Sequence, residues 1–237
     1  MIKYILTDIE GTITSIAFVH DVLFPYFINN FETFAKANED KVSVIFGEKR
    51  QKIFQQLGID LNFGDLIQDF LISVKRDLKE TSLKNLQGLV WKEAYESGKI
   101  KSHVYNDVPD VLKFWKEKGL ELSVYSSGSV EAQKLLFAHT EFGDLTPFFT
   151  HYFDTNVGAK REVKSYTNIQ TVLNVPANEI LFLSDIEQEL DAAQMAGFQT
   201  IQLVREGTIS SAKHKTAKDF NGVETLHATS LQLSTKQ

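Results

Sequence analysis

The residues best suited to chemistry lie in four short stretches of this chain. Asp8 and Glu10 stand two residues apart, with Gly11 directly behind them. Two carboxylates beside an open backbone can bind a hard cation, attack an electrophile or move a proton. Taken alone, Asp8 could instead cap a helix and Glu10 could be a solvated acid. Ser126-Ser127-Gly128 offers two hydroxyls and backbone N–H groups beside a glycine, a set able to hold phosphate oxygens. Lys160 supplies a compact positive charge, and Ser184-Asp185 a further hard oxygen ligand. These residue types answer one problem. A carboxylate nucleophile approaches an anionic phosphate only if a divalent cation and a lysine offset the repulsion. Asp8 then reads as the nucleophile and Glu10 as the group that protonates a leaving alkoxide and later takes a proton from water.

Elements of the right kind precede each stretch. Ile2 to Leu6 is a bulky apolar run, predicted as a buried parallel strand ending at Asp8. Leu120 to Tyr125 predicts a strand ending at the serine pair. Phe148 to Phe153 predicts another, with Lys160 in the loop beyond it. Glu179 to Leu183 predicts a continuous apolar strand ending at Ser184-Asp185. Helices are expected between them: one started by Pro109 and stopped by Gly119, one over Val130 to His139, one over residues 162 to 174, and one ending at Gly197. Thr200 to Val204 reads as a last strand. The tail after Arg205 is polar, weakly patterned and expected to be partly irregular.

Between the first strand and residue 100 the periodicity is helical throughout. Phe24, Phe27, Ile28, Phe31 and Phe34 share one helical face, with Pro25 in the first turn. Leu66, Ile67, Phe70, Leu71, Val74 and Leu78 form a second stripe, and Leu83 to Tyr95 a third. The expected fold class is therefore α/β, a doubly wound parallel sheet of Rossmann-like type with an inserted α-helical cap. The core would comprise residues 1–15 and 100–237, and the cap residues 16–99. Carboxyl ends of the strands are where such sheets place ligands, so the four stretches would meet at one rim.

Composition narrows the function. The 237 residues are 43% hydrophobic and 24% charged, with a net charge of -6. That charge argues against a broad nucleic-acid surface but leaves room for a small anionic substrate. The absence of cysteine removes disulfides, thiolate nucleophiles and cysteine-based zinc sites. The acidic N-terminal stretch is not expected to be a signal peptide. No uncharged apolar run approaches the roughly 18 residues of a membrane span. A cytoplasmic protein without a membrane or nucleic-acid partner is the expectation.

The ordered set of an acidic DxEGT turn, a strand ending in serine, a downstream lysine and a strand ending in Ser-Asp resembles the haloacid-dehalogenase-like phosphohydrolases. Within them, DIEGTITSIAFVHDVLFPYF, VYSSGSVEAQKLLF and YFDTNVGAK look like the enolase-phosphatases of methionine salvage. Many relatives carry Asp two residues after the nucleophile, whereas Glu10 matches the enolase-phosphatase pattern. The resemblance implies a substrate, 2,3-diketo-5-methylthiopentyl 1-phosphate, that is enolised and then dephosphorylated to an acireductone. It implies one Mg²⁺ per active site and a monomer. The metal positions fall on Asp8, Glu10 and Asp185, with Glu10 contributing its main-chain carbonyl. The substrate positions fall on Ser126, Ser127 and Lys160, and the catalytic ones on Asp8, Glu10 and Lys160. The enolisation base is open between Glu10 and a cap residue.

Other readings stand beside this one. The same fold and chemistry could serve another small ester such as a sugar phosphate. A phospho-accepting receiver also uses a strand-end aspartate, Mg²⁺ and a lysine, but is smaller and lacks a long insertion after its first strand. A non-catalytic phosphometabolite binder would not need Asp8 and Glu10. Glu189, one helical turn past Asp185, could support the metal ligands or be a solvated acid. His20 reads first as a structural histidine.

Overall fold

The computed structural model describes residues 1–76, 78 and 80–223, and the chain divides into two compact units, Met1–Ile16 with Ser102–Gln237 and Ala17–Lys101. The first strand, β1 (Tyr4–Thr7), opens the first unit. Ile5 and Leu6 are buried on opposite faces of it, as a central parallel strand requires.

The second unit is helical among its described residues. A short α1 (Ile16–Phe18) spans the boundary and runs through a π-helical turn, Val19–Leu23, into α2 (Phe24–Ala37). There follow α3 (Glu39–Leu57), α4 (Phe63–Lys75) and α5 (Thr81–Glu96). Asn62 caps α4 by accepting from the Asp65 N–H, while the Asp65 carboxylate accepts from the Asn62 N–H. The phenylalanine stripe is core: Phe27, Phe31 and Phe34 are buried, Phe27 stacks on Phe31 at 4.6 Å, and Phe70 meets Phe31 edge-on. Leu78 departs from expectation. α4 ends at Lys75, so Leu78 lies outside the helix and is 43% exposed.

The chain then continues the first unit through α6 (Val108–Glu117), β2 (Glu121–Tyr125), α7 (Val130–Ala138), β3 (Phe149–Phe153), α8 (Val163–Leu173), β4 (Ile180–Ser184), α9 (Glu187–Met195) and β5 (Gln199–Leu203). A final strand, β6 (Lys215–Ala217), pairs with β5. Residues 205–214 hold no helix or strand, as a partly irregular tail would, and β6 is a short strand that the sequence does not signal. This three-residue strand takes its stability from the neighbouring edge rather than from a period of its own. The expectation for residues 224–237 lies outside the described residues.

Among the described residues these strands form one parallel sheet in the order β3-β2-β1-β4-β5-β6. The fold is therefore the doubly wound Rossmann-like α/β arrangement that the alternation of strands and helices predicts. Alternation along each strand fills two cores. Ile5, Val124, Leu181 and Leu183 face the side packed with Val111, Leu112, Trp115 and Phe137 of α6 and α7. Leu6, Tyr125 and Phe182 face Tyr166, Ile169 and Leu190 of α8 and α9. In register, Thr7 pairs with Val124 on one side and Leu183 on the other. Asp8 therefore emerges beside Tyr125 and Ser184, at the point where the order of strands reverses.

Candidate active site

Asp8 is the first residue beyond β1, and its backbone N–H donates to the Leu183 carbonyl at 2.8 Å. The turn that follows is closed by its own hydrogen bonds. The Ile9 carbonyl accepts from the N–H groups of Ile13 and Thr14 at 2.8 and 2.9 Å, and the Gly11 N–H donates to Thr14. Gly11 has φ +74, in the left-handed region, and a Cβ there would collide with the Asp185 carboxylate. Only glycine meets both conditions, and its lack of a side chain lets Asp185 approach the turn.

The Asp8 carboxylate is buried and doubly held. Its Oδ1 accepts from the Ile9 N–H at 2.7 Å and from Lys160 Nζ at 2.6 Å. Lys160 Nζ also reaches Glu189 Oε2 at 2.7 Å, so this buried ammonium bridges two acids. Burial alone would lower the Lys160 pKa, but the charges and hydrogen bonds of Asp8 and Glu189 outweigh it and hold the lysine above its ordinary value. Glu189 is pushed up by burial and by Asp8, and pulled down by Lys160 and by the Ser184 hydroxyl, which donates to it at 3.0 Å. With a cation 2.7 Å away, the ion pair is the state the geometry supports. The loop carrying Lys160 is anchored by Tyr166, whose hydroxyl donates to the Lys160 carbonyl at 2.6 Å, and the ammonium lies 5.8 Å from the centre of the Tyr125 ring. Burial and neighbouring negative charge raise the Tyr166 pKa, so it remains a donor.

Asp185 follows β4. Burial, then the charge of Asp8, push its carboxyl up to about 7, with Glu10 adding to the shift and Lys160 opposing it. Its Oδ1 is buried with no hydrogen-bond partner among the described residues. Several acids share one ammonium here, and one carboxylate oxygen has nothing to accept from. A divalent cation would correct both deficits, so the residues present fit Mg²⁺ bound by hard oxygens. The same region holds no cluster of three or more His, Cys, Asp or Glu side chains suited to a metal among the described residues. The fit therefore rests on two carboxylates, Asp8 and Asp185.

The serine stretch sits at the end of β2. Ser126 is buried, its N–H donates to the Phe153 carbonyl, and its Oγ accepts from the Gly128 N–H at 3.1 Å, which keeps the hydroxyl proton available. Ser127 is exposed on the same loop. The buried Gln133 donates to both the Gly128 and Phe153 carbonyls, at 2.8 and 2.9 Å, and so braces that loop. Of the expected residues, contacts link Asp8 directly to Lys160, and Asp185 to the turn at Gly11. Ser126 and Ser127 share the strand-end rim after β2. His20 belongs to the helical unit, where its ring packs edge-on against Phe24. Glu189 resolves toward the site. Gln133, Tyr125 and Tyr166 had no signal beyond ordinary core residues, because a brace is defined by distant partners rather than by spacing.

Comparison with known proteins bears on this geometry. The family described as haloacid dehalogenase-like hydrolase matches residues 2–197. Enolase-phosphatase E1 of Marinobacter nauticus is 48% identical over 227 residues, covering 95% of this chain and 98% of that protein. The chain belongs to the haloacid dehalogenase-like hydrolases and, within them, to the enolase-phosphatases. A second enolase-phosphatase E1, from a Picosynechococcus species, is 44% identical and covers 96% of this chain and all of its own length. The crystal structure of the UTR4 protein of Saccharomyces cerevisiae superposes with a TM-score of 0.79 at 38% identity, covering 92% of this chain and 98% of that one. This enolase-phosphatase family member is accordingly a phosphatase hydrolase. No helix among its described residues is long and apolar enough to cross a membrane.

Proposed function

We propose that the protein converts 2,3-diketo-5-methylthiopentyl 1-phosphate to the acireductone 1,2-dihydroxy-3-keto-5-methylthiopentene and phosphate, in methionine salvage, acting as a monomer with one Mg²⁺ per site. The observation that carries the reading is the buried bridge from Glu189 through Lys160 to Asp8, set beside the unsatisfied Asp185 oxygen. When bound by Asp8, Asp185 and the Glu10 carbonyl, Mg²⁺ would offset negative charge on the phosphate and on the enediolate form of the substrate.

Asp8 Oδ1 is occupied by the Ile9 N–H and Lys160, so Oδ2 is assigned as the attacking atom. Attack at phosphorus forms an aspartyl phosphate and breaks the phosphorus–oxygen bond to the enol. Glu10 gives its proton to that departing oxygen. It then takes a proton from water as the water oxygen attacks phosphorus, which returns the Asp8 carboxylate and releases inorganic phosphate. Lys160 holds the Asp8 carboxylate in place and balances the phosphoryl oxygens, while the Ser126 and Ser127 hydroxyls hold them in line.

Two measurements test this. Incubating the diketo ester with the protein and Mg²⁺ should produce the ultraviolet absorbance of an enediol together with phosphate. Asp8→Asn should release no phosphate while keeping its fold. Rapid hydrolysis of sugar phosphates with no turnover of the diketo ester would overturn the substrate assignment, and phosphate release by Asp8→Asn at the normal rate would overturn the nucleophile.

A further inference from the structure

Arg205 lies just past β5, beyond residue 197, where the family match ends. Its side chain is 7% exposed and every guanidinium nitrogen is engaged. Nε and Nη2 donate to the Thr12 carbonyl at 3.2 and 3.1 Å. Nη1 and Nη2 donate to the two oxygens of Asp107 at 2.9 and 2.8 Å. The group lies 4.1 Å from the centre of the Tyr105 ring and 5.7 Å from that of Phe220. Asp107 is held in turn by the Phe220 N–H at 2.8 Å.

Thr12 belongs to the turn that carries Asp8 and Glu10. That turn spends its N–H groups internally on Ile9 and Thr14, and the Thr12 hydroxyl is buried without a partner among the described residues. The turn's side chain at this position therefore does not fix it; the carbonyl does. A planar fork with donors on two edges can clamp a carbonyl and a carboxylate at once, which a lysine cannot. We infer that Arg205 is a positioning residue for the nucleophile turn, clamping the Thr12 carbonyl and through it setting the aim of Asp8 and the Glu10 backbone. The inference rests on Asp8 and Glu10 acting as proposed above. It gives the polar tail a task, because Phe220 and the Asp107 pair hold the arginine in place.

The test compares Arg205→Lys, Arg205→Met and Asp107→Asn with the unaltered protein. With p-nitrophenyl phosphate and Mg²⁺, kcat should fall about 100-fold in Arg205→Met and about tenfold in Arg205→Lys, with KM within a factor of two, since misaimed groups cost rate rather than affinity. Asp107→Asn should fall less than either. Amide hydrogen exchange should quicken about tenfold at Ile13 and Thr14 in Arg205→Lys and stay unchanged in β1 and β4. Unchanged exchange at those amides overturns the inference whatever the enzyme's substrate proves to be. So does a raised KM at intact kcat, which would place Arg205 on the substrate. So does a kcat loss in Arg205→Lys that merely tracks a lowered melting temperature. An unaltered protein that hydrolyses neither this ester nor the diketo ester would instead overturn the proposed function, leaving the exchange result to decide the role of Arg205.

Discussion

A lysine enclosed by acids can be costly or stabilising, and at Lys160 the distances decide. Nζ lies 2.6 Å from Asp8 and 2.7 Å from Glu189, so one ammonium faces both buried carboxylates. Lys160→Met should therefore cost about 3–5 kcal/mol in urea unfolding at neutral pH, the penalty of stranding buried anions. The lysine pKa is raised in the fold, so its contribution is complete below the unfolded value. The gap between the two proteins should hold through neutral pH and fade only above about pH 10. Gly11→Ala should fail differently. Left-handed φ costs a side chain about 1–2 kcal/mol, which a thermal melt would show. The greater loss should be in phosphate release, because the new methyl group would occupy the place of the Asp185 carboxylate.

Elements show which parts of the fold can be read in advance. β1 and β4 were legible because strands buried on both faces are apolar without interruption, and α6 because Pro109 and Gly119 bracket it. The acids and the lysine were legible through their order along the chain, since Asp8 alone could have capped a helix and Lys160 lies in the loop beyond β3. β6, by contrast, is three residues long and defined by pairing with β5, and Arg205 by a carbonyl nearly the length of the chain away. Neither leaves a local period. The start of α6 carries a prediction of its own. Burial would raise the Asp107 pKa, yet the hydrogen bonds and charge of Arg205, with the Phe220 N–H, lower it. Its contribution is thus present above the unfolded value near 4 and lost as pH falls through the depressed one. Asp107→Asn should be clearly less stable than the parent at pH 7, and the difference should shrink below about pH 4 in acid-unfolding curves. In the helical unit, Phe31→Ala should cost about 3–5 kcal/mol, since the ring is fully buried among Phe27, Phe46 and Phe70.

At the scale of the molecule, the candidate ligands Asp8, Glu10 and Asp185 all belong to the unit containing the sheet. Mg²⁺ at about 100 times its dissociation constant should therefore add roughly 2.7 kcal/mol to the stability of that unit. Hydrogen exchange should slow in β1, β4 and the turn after β1, and the gain should vanish in Asp185→Asn. The position of β1 has a different consequence, for biosynthesis. Its neighbours on either side are β2 and β4, which begin at residues 121 and 180. Residues 17–101 form a contiguous helical unit whose partners are local, so that part can consolidate while the ribosome is still working. β1 leaves the ribosome earlier than either strand that will shelter it. It must wait, apolar and unpaired, until about half of the polypeptide has been synthesised, and it is enclosed on both sides only once β4 has followed.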